Sequence, residues 1–127
     1  MSRAYQGSGR MLLCIDDSRA ILDYEKRLFE RSGYIVVTAA SPQQGLRLAN
    51  MTSFDAVLLD YQMPEMNGHQ LALEIRRIRP EMPIVMFSGS EIPTETLKLV
   101  DAAVPKTDTI SDLLSTVSRL WNRTSAA

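Results

Sequence analysis

The chain has 127 residues, with 14 basic and 15 acidic side chains for a formal charge of −1. That length suits one domain able to fold without a disulfide or structural metal, and a single cysteine, Cys14, and a single histidine, His69, exclude internal disulfides and Cys- or His-built zinc sites. Near-neutral charge argues against direct nucleic-acid binding, no apolar run approaches the ~20 residues of a bilayer span, and the first residues lack the apolar core of a secretory signal, so a cytoplasmic protein is expected.

In chain order, residues 1–9 are small and polar and read as a disordered tail, residues 10–123 as one domain without repeat or linker, and residues 124–127 as a second disordered tail. The first apolar run, Met11–Ile15, precedes a 3.6-residue pattern that places Ile21, Leu22, Leu28 and Phe29 on one face with Glu25, and Gly33 stops it. Four of those five positions are expected in the core. A second run, 34–37, leads to Ser41-Pro42-Gln43-Gln44, a capping-box pattern with proline at the first helical position. The third run, Ala56–Leu59, is followed after Gly68 by Leu71, Leu73, Ile75 and Ile78, and that helix halts before Pro80. The fourth, 84–87, precedes a weak helical pattern from about Glu91 to Val100 that Pro93 restricts to a late start. The fifth, 102–104, precedes a stripe of Ile110, Leu113, Leu114, Val117, Leu120 and Trp121.

None of the five runs alternates polar with apolar, so each predicts a strand covered on both faces. Five strand–helix repeats predict a three-layer α/β/α domain with a five-stranded parallel sheet, and the length favours the flavodoxin-like order 2-1-3-4-5. Pro105 agrees, because proline is tolerated on an edge strand and the fifth strand would be one.

In such sheets ligands bind beyond the carboxyl ends of the strands, at the switch point between strands 1 and 3. Strand 1 ends in Asp16-Asp17, strand 3 in Asp60, strand 4 in Ser88 and strand 5 in Lys106. Each alone has a bland reading: a helix cap, a turn, a solvated lysine. Together they put three carboxylates, a hydroxyl and an amine on one rim. Carboxylates crowded there repel one another unless a cation is present. An all-oxygen acidic site suits Mg²⁺. A metal flanked by a lysine and a hydroxyl suits phosphoryl transfer, with a carboxylate as nucleophile.

The set Asp16-Asp17, then Asp60-Tyr61-Gln62-Met63-Pro64-Glu65-Met66-Asn67-Gly68, then Ser88-Gly89, then Lys106 resembles the receiver (CheY-like) domain of two-component response regulators, over residues 10–121. The resemblance implies that Asp60 is the phosphoacceptor, taking a phosphoryl group from the phosphohistidine of a sensor histidine kinase or a histidine phosphotransfer protein. It implies Mg²⁺ as cofactor, held directly by Asp17, Asp60 and the backbone carbonyl of Gln62, and through water by Asp16. Lys106 is similar to the lysine that pairs with the acceptor and then with the phosphoryl group. Ser88 is similar to the hydroxyl that rotates onto a phosphoryl oxygen to start the conformational switch. Gly89 would leave room for the phosphoryl group, and Gln62 and Ser90 occupy positions that tune the life of the acyl phosphate. The resemblance also implies that the chain catalyses only its own phosphorylation and dephosphorylation, as a monomer or a phosphorylation-linked dimer.

The chain departs from the family pattern at three places. Ala103 stands three residues before Lys106, where the family often carries an aromatic switch residue. Thr107 follows Lys106 where a cis-proline is common, and a non-proline cis bond costs ~3–4 kcal/mol. The stretch from Ser88 to Lys106 is about one helical turn short, which bears on the fourth helix and the partner face that it forms.

Other residues have plainer readings. His69 is read as a surface residue at the start of the third helix rather than a phosphotransfer histidine, and Cys14 as a buried small hydrophobe. Arg76, Arg77 and Arg79 are read as complementing the dipole of their own helix end, and Met63 and Met66 as packing residues. No DNA-binding unit follows Trp121, so a single-domain regulator, a relay intermediate and a receiver excised from a longer protein all fit, with the output partner undefined. The competing readings are a small Mg²⁺-dependent phosphatase or phosphotransferase with an Asp nucleophile, and a receiver-like interaction module that takes no phosphate.

Overall fold

The computed structural model describes residues 9–107 and 110–125, with backbone alone at 110–111 and 122–125. The elements run β1 (Met11–Ile15), α1 (Arg19–Arg31), β2 (Ile35–Ala39), α2 (Pro42–Met51), β3 (Ala56–Leu59), α3 (Gly68–Ile78), β4 (Ile84–Ser88), α4 (Thr94–Leu97), β5 (Ala102–Pro105) and α5 (Ile110–Ser125). All strand pairs are parallel and the order is β2-β1-β3-β4-β5, the flavodoxin-like order expected. α5 runs two residues past position 123; the remaining tail residues, 1–8 and 126–127, lie outside the described residues.

Alternate strand residues feed two apolar layers, as the two-residue period of a strand dictates. Leu12, Cys14, Leu58, Val85, Phe87 and Val104 meet Leu22 and Phe29 of α1 and Leu113, Val117 and Leu120 of α5. Leu13, Ile15, Val57, Leu59, Ile84 and Met86 meet Ala49 of α2 and Leu71, Ala72 and Ile75 of α3 on the other face. Both sides being covered is why the strand sequences do not alternate.

Local sequence sets the helix ends. Ser18 caps α1 by accepting from the Ile21 N–H at 3.3 Å. Gly33, at φ 93°, closes it: the Tyr34 N–H reaches the Phe29 carbonyl at 3.0 Å and the Gly33 N–H that of Glu30 at 3.1 Å, the double bond of a left-handed helix terminus. Ser41 caps α2 as expected, although the side chain of Gln44 accepts from the Ala40 N–H rather than that of Ser41. α3 carries the full reciprocal box: Asn67 accepts from the Gln70 N–H and Gln70 from the Asn67 N–H, both at 3.0 Å.

Three expectations change. The fourth helix, expected from about Glu91 to Val100, holds regular form only over Thr94–Leu97, with Pro93 at its N-cap and no side-chain cap. Glu25 is buried with its four apolar neighbours' face rather than outside it, at 2% exposure. The arginines reach beyond the end of their own helix, where Arg76 and Arg77 lie in the last turn. Arg79 donates to the carbonyls of Ala49 and Asn50 at the end of α2. Arg76 donates to those of Leu99 and Met82 and pairs with Asp101 at 2.7 Å. Arg76 also donates locally to the Pro80 carbonyl at 3.3 Å, and Arg77 pairs with Glu74.

Candidate functional site

β1, β3, β4 and β5 all end at one rim, and the residues following them converge there. Asp16 is buried at 2% exposure and both of its oxygens are engaged. One accepts from the Ser18 N–H at 2.9 Å, and the other from Lys106 Nζ at 3.0 Å. Asp60, at 6% exposure, lies 3.3 Å from the same ammonium. Asp17 is exposed on the outer side. Ligand oxygens of Asp16, Asp17 and Asp60 all lie within 4.8 Å of one another. One cation among three ionised carboxylates leaves two negative charges uncompensated, and an all-oxygen set with that deficit fits a small divalent cation.

The electrostatics follow from this packing. Burial pushes the Asp60 carboxyl above its ordinary value, the charge of Asp16 pushes further, and Lys106 opposes both. Burial alone would pull the Lys106 ammonium down; the hydrogen bond and charge of Asp16, joined by Asp60, outweigh it and hold the ammonium above the ordinary lysine value. Lys106 Nζ also lies over the ring of Phe87, 5.8 Å from its centroid.

The loop between β3 and α3 is shaped by Gly68. A Cβ there would fall 2.7 Å from Tyr61 Cα and 2.8 Å from the Asp60 carbonyl oxygen, so only glycine lets α3 start against the backbone that carries Asp60. The Gly68 N–H seals this contact on the Tyr61 carbonyl at 2.6 Å. Gln62 sits exposed in the same loop, and Glu65 turns it at φ 75°.

Ser88 ends β4 at 2% exposure. Its hydroxyl accepts from the Ser90 N–H at 3.1 Å and lies 3.2 Å from the Ser90 hydroxyl. Gly89 is not crowded: a Cβ would meet only Lys106 Cδ, at 3.8 Å. Ser88, Gly89 and Ser90 form one wall of an open cavity of about 460 Å³ whose other walls are Ile92, Leu97, Ala103 and Pro105. The methyl of Ala103 leaves that space open, and the single turn of α4 does not fill it. The Lys106–Thr107 bond is trans.

Every residue of the acid pocket named from the sequence is thus brought to the rim, with Asp16 rather than Asp60 as the nearer partner of Lys106. Sequence reasoning missed His69. Its Nδ1 lies 2.8 Å from the Thr96 hydroxyl of α4, so a partly exposed surface residue also bridges two helices. No motif marks such a bridge, because its two ends are 27 residues apart.

Residues 12–111 match the family model described as the response regulator receiver domain. The chain is 29% identical over 118 residues to response regulator MprA of Mycobacterium sp. (strain KMS), covering 90% of this chain and 51% of that protein. It spans about half the length, or less, of the curated relatives that it matches. Among solved structures, a CheY-like receiver domain protein of Methanospirillum hungatei shares 29% identity at a TM-score of 0.85, covering 94% of this chain and 98% of that one. TrrA of Thermotoga maritima, solved in complex with Mg²⁺ and BeF, shares 25% identity at a TM-score of 0.82, covering 87% and 98%.

Proposed function

Because the chain belongs to the response regulator receiver domain family, we propose that it accepts a phosphoryl group on Asp60 from the phosphohistidine of a sensor kinase or histidine phosphotransfer protein. The observation that carries this reading is Asp60 itself: a buried carboxylate at the rim, 3.3 Å from Lys106 and clustered with Asp16 and Asp17. In the transfer, an Asp60 oxygen attacks phosphorus, the O–P bond forms as the N–P bond breaks, and the leaving imidazole keeps the electron pair and takes a proton.

The donor set fits Mg²⁺. Both oxygens of Asp16 are already engaged, by Ser18 and Lys106, which favours Asp17, Asp60 and the Gln62 backbone carbonyl as direct ligands and Asp16 as a ligand through water. The cation would neutralise the charge that builds on the phosphoryl oxygens. Lys106 moves from the carboxylates to a phosphoryl oxygen. The Ser88 hydroxyl, held at rest by Ser90, rotates to donate to another. Gly89 leaves the approach open, and Gln62 and Ser90 set how water reaches the acyl phosphate, whose hydrolysis resets the domain. The protein acts on no other substrate in this reading, as a monomer or a phosphorylation-linked dimer.

The test is intact mass after incubation with acetyl phosphate, with and without Mg²⁺. One phosphoryl adduct that requires Mg²⁺ and disappears in Asp60→Asn is expected. Continuous hydrolysis of an added phosphoester without a lasting adduct would replace this reading with a phosphatase. A folded wild type that takes neither label nor Mg²⁺ would replace it with a phosphate-independent module.

A further inference from the structure

α4 has only four residues and no side-chain cap, so it cannot hold itself and takes its place from tertiary contacts. Two side chains of α3 supply them. Arg76 pins the segment that leaves α4: it donates to the Leu99 carbonyl at 3.1 Å and pairs at 2.7 Å with Asp101, which also accepts from the Ile84 N–H at 2.8 Å. His69, near the start of α3, holds α4 itself through the hydroxyl of Thr96, a residue with no exposed surface.

These anchors differ in what they rest on. Arg76 is two turns down α3, away from the rim. His69 follows Gly68, which is packed on the Asp60–Tyr61 backbone with no room for even a methyl group. The contacts thus run without a break from the acceptor's backbone to Gly68, to the neighbouring His69, and through one hydrogen bond to Thr96. β5 offers no equivalent route on that side, since the side chains that it sets beside the Ser88 loop, the methyl of Ala103 and the ring of Pro105, carry no hydrogen-bonding group.

We propose that the His69–Thr96 hydrogen bond is the positioning link through which the Asp60 loop sets the placement of α4, with the Arg76 clamp as the fixed pivot. The inference rests on the phosphoacceptor reading and deepens it: it names the element that responds and the contact that makes it respond. His69 touches neither phosphate nor metal and is a positioning residue.

The test is amide hydrogen exchange over residues 94–100, before and after labelling with acetyl phosphate and Mg²⁺, in wild type, Thr96→Val and Thr96→Ser. Valine keeps the volume and removes the hydroxyl, and half-exposed His69 can then turn to water; serine restores the bond. Labelling of the wild type should change α4 exchange by about threefold or more. Thr96→Val should label within about twofold of wild type yet lose that change, and Thr96→Ser should recover it. A full exchange response in Thr96→Val, or a labelled wild type whose α4 does not respond, overturns the link. If Thr96→Val fails to fold by circular dichroism, His69→Ala cuts the same bond from its accessible end and is read by the same criteria. A wild type that takes no label removes the phosphoacceptor reading and this inference with it, an outcome distinct from a labelled protein with an indifferent α4.

Discussion

α3 and α4 are neighbours on one face of the sheet and are held in opposite ways. α3 supports itself, with eleven residues, a reciprocal cap and a buried stripe of Leu71, Ala72 and Ile75. α4 has one turn, no cap and a single buried residue, Thr96. The placement of α4 is therefore encoded in the side chains of α3. A self-sufficient helix abuts the acid pocket, and the element able to respond is the one that cannot stand alone.

The largest expected effect lies on the opposite face of the sheet, where long helices tolerate a costly group. Glu25 of α1 is buried, and its Oε1 has no hydrogen-bond partner, alone in this among the buried side-chain oxygens and nitrogens of the described residues. Burial, then the charge of Asp16, pushes its carboxyl from 4.5 up to about 8, against the opposing pull of Lys106. The folded protein thus holds a proton that the unfolded chain releases above pH 4.5, so stability falls as pH rises from there to about 8. The loss should total roughly 3–5 kcal/mol. Urea unfolding at pH 5 and pH 9 should show it in wild type, and Glu25→Gln should flatten the difference. An equal slope in both proteins would mean that Glu25 is ionised in the fold.

Next in size, Arg76→Ala removes the clamp below α4 and leaves the Leu99 and Met82 carbonyls short of a donor. It should cost about 2 kcal/mol in urea unfolding and raise amide exchange at residues 98–101 more than within α3. Equal loosening of both helices would erase the contrast between them. Asn67→Ala deletes the α3 cap and should cost about 1 kcal/mol, with α3 fraying at its first turn and α4 following through His69. The smallest effect belongs to Ser90→Ala, within about 0.5 kcal/mol of wild-type stability. It frees the Ser88 hydroxyl from one of its resting partners, so the adduct's half-life should change while the melting curve does not.

The sequence carries the strands, the order of the sheet and the acid pocket openly, because covered strands are unbroken apolar runs and strand ends meet at one rim. What it hides depends on pairs distant in the chain. Arg76 and Arg79 look like a basic helix end, yet they also serve carbonyls of α2 and of the segment beyond α4, and the period of α3 says nothing about that. Glu25 breaks an apolar face, and pattern reading puts such a residue outside; only the packing of α1 on Cys14 and its neighbours brings it in. The weak pattern from Glu91 to Val100 contains enough apolar residues for a helix, but Pro93 delays its start. Leu99 and Val100 then turn into the α2–α3 layer instead of continuing the helix.

The most direct test of the central claim is to locate the phosphoryl group. After labelling with acetyl phosphate and Mg²⁺, borohydride reduces an aspartyl phosphate to homoserine, and peptide mass mapping then reads which aspartate was modified. Homoserine is expected at position 60 alone, and none without Mg²⁺. Homoserine at position 16 or 17 with Asp60 intact would contradict it.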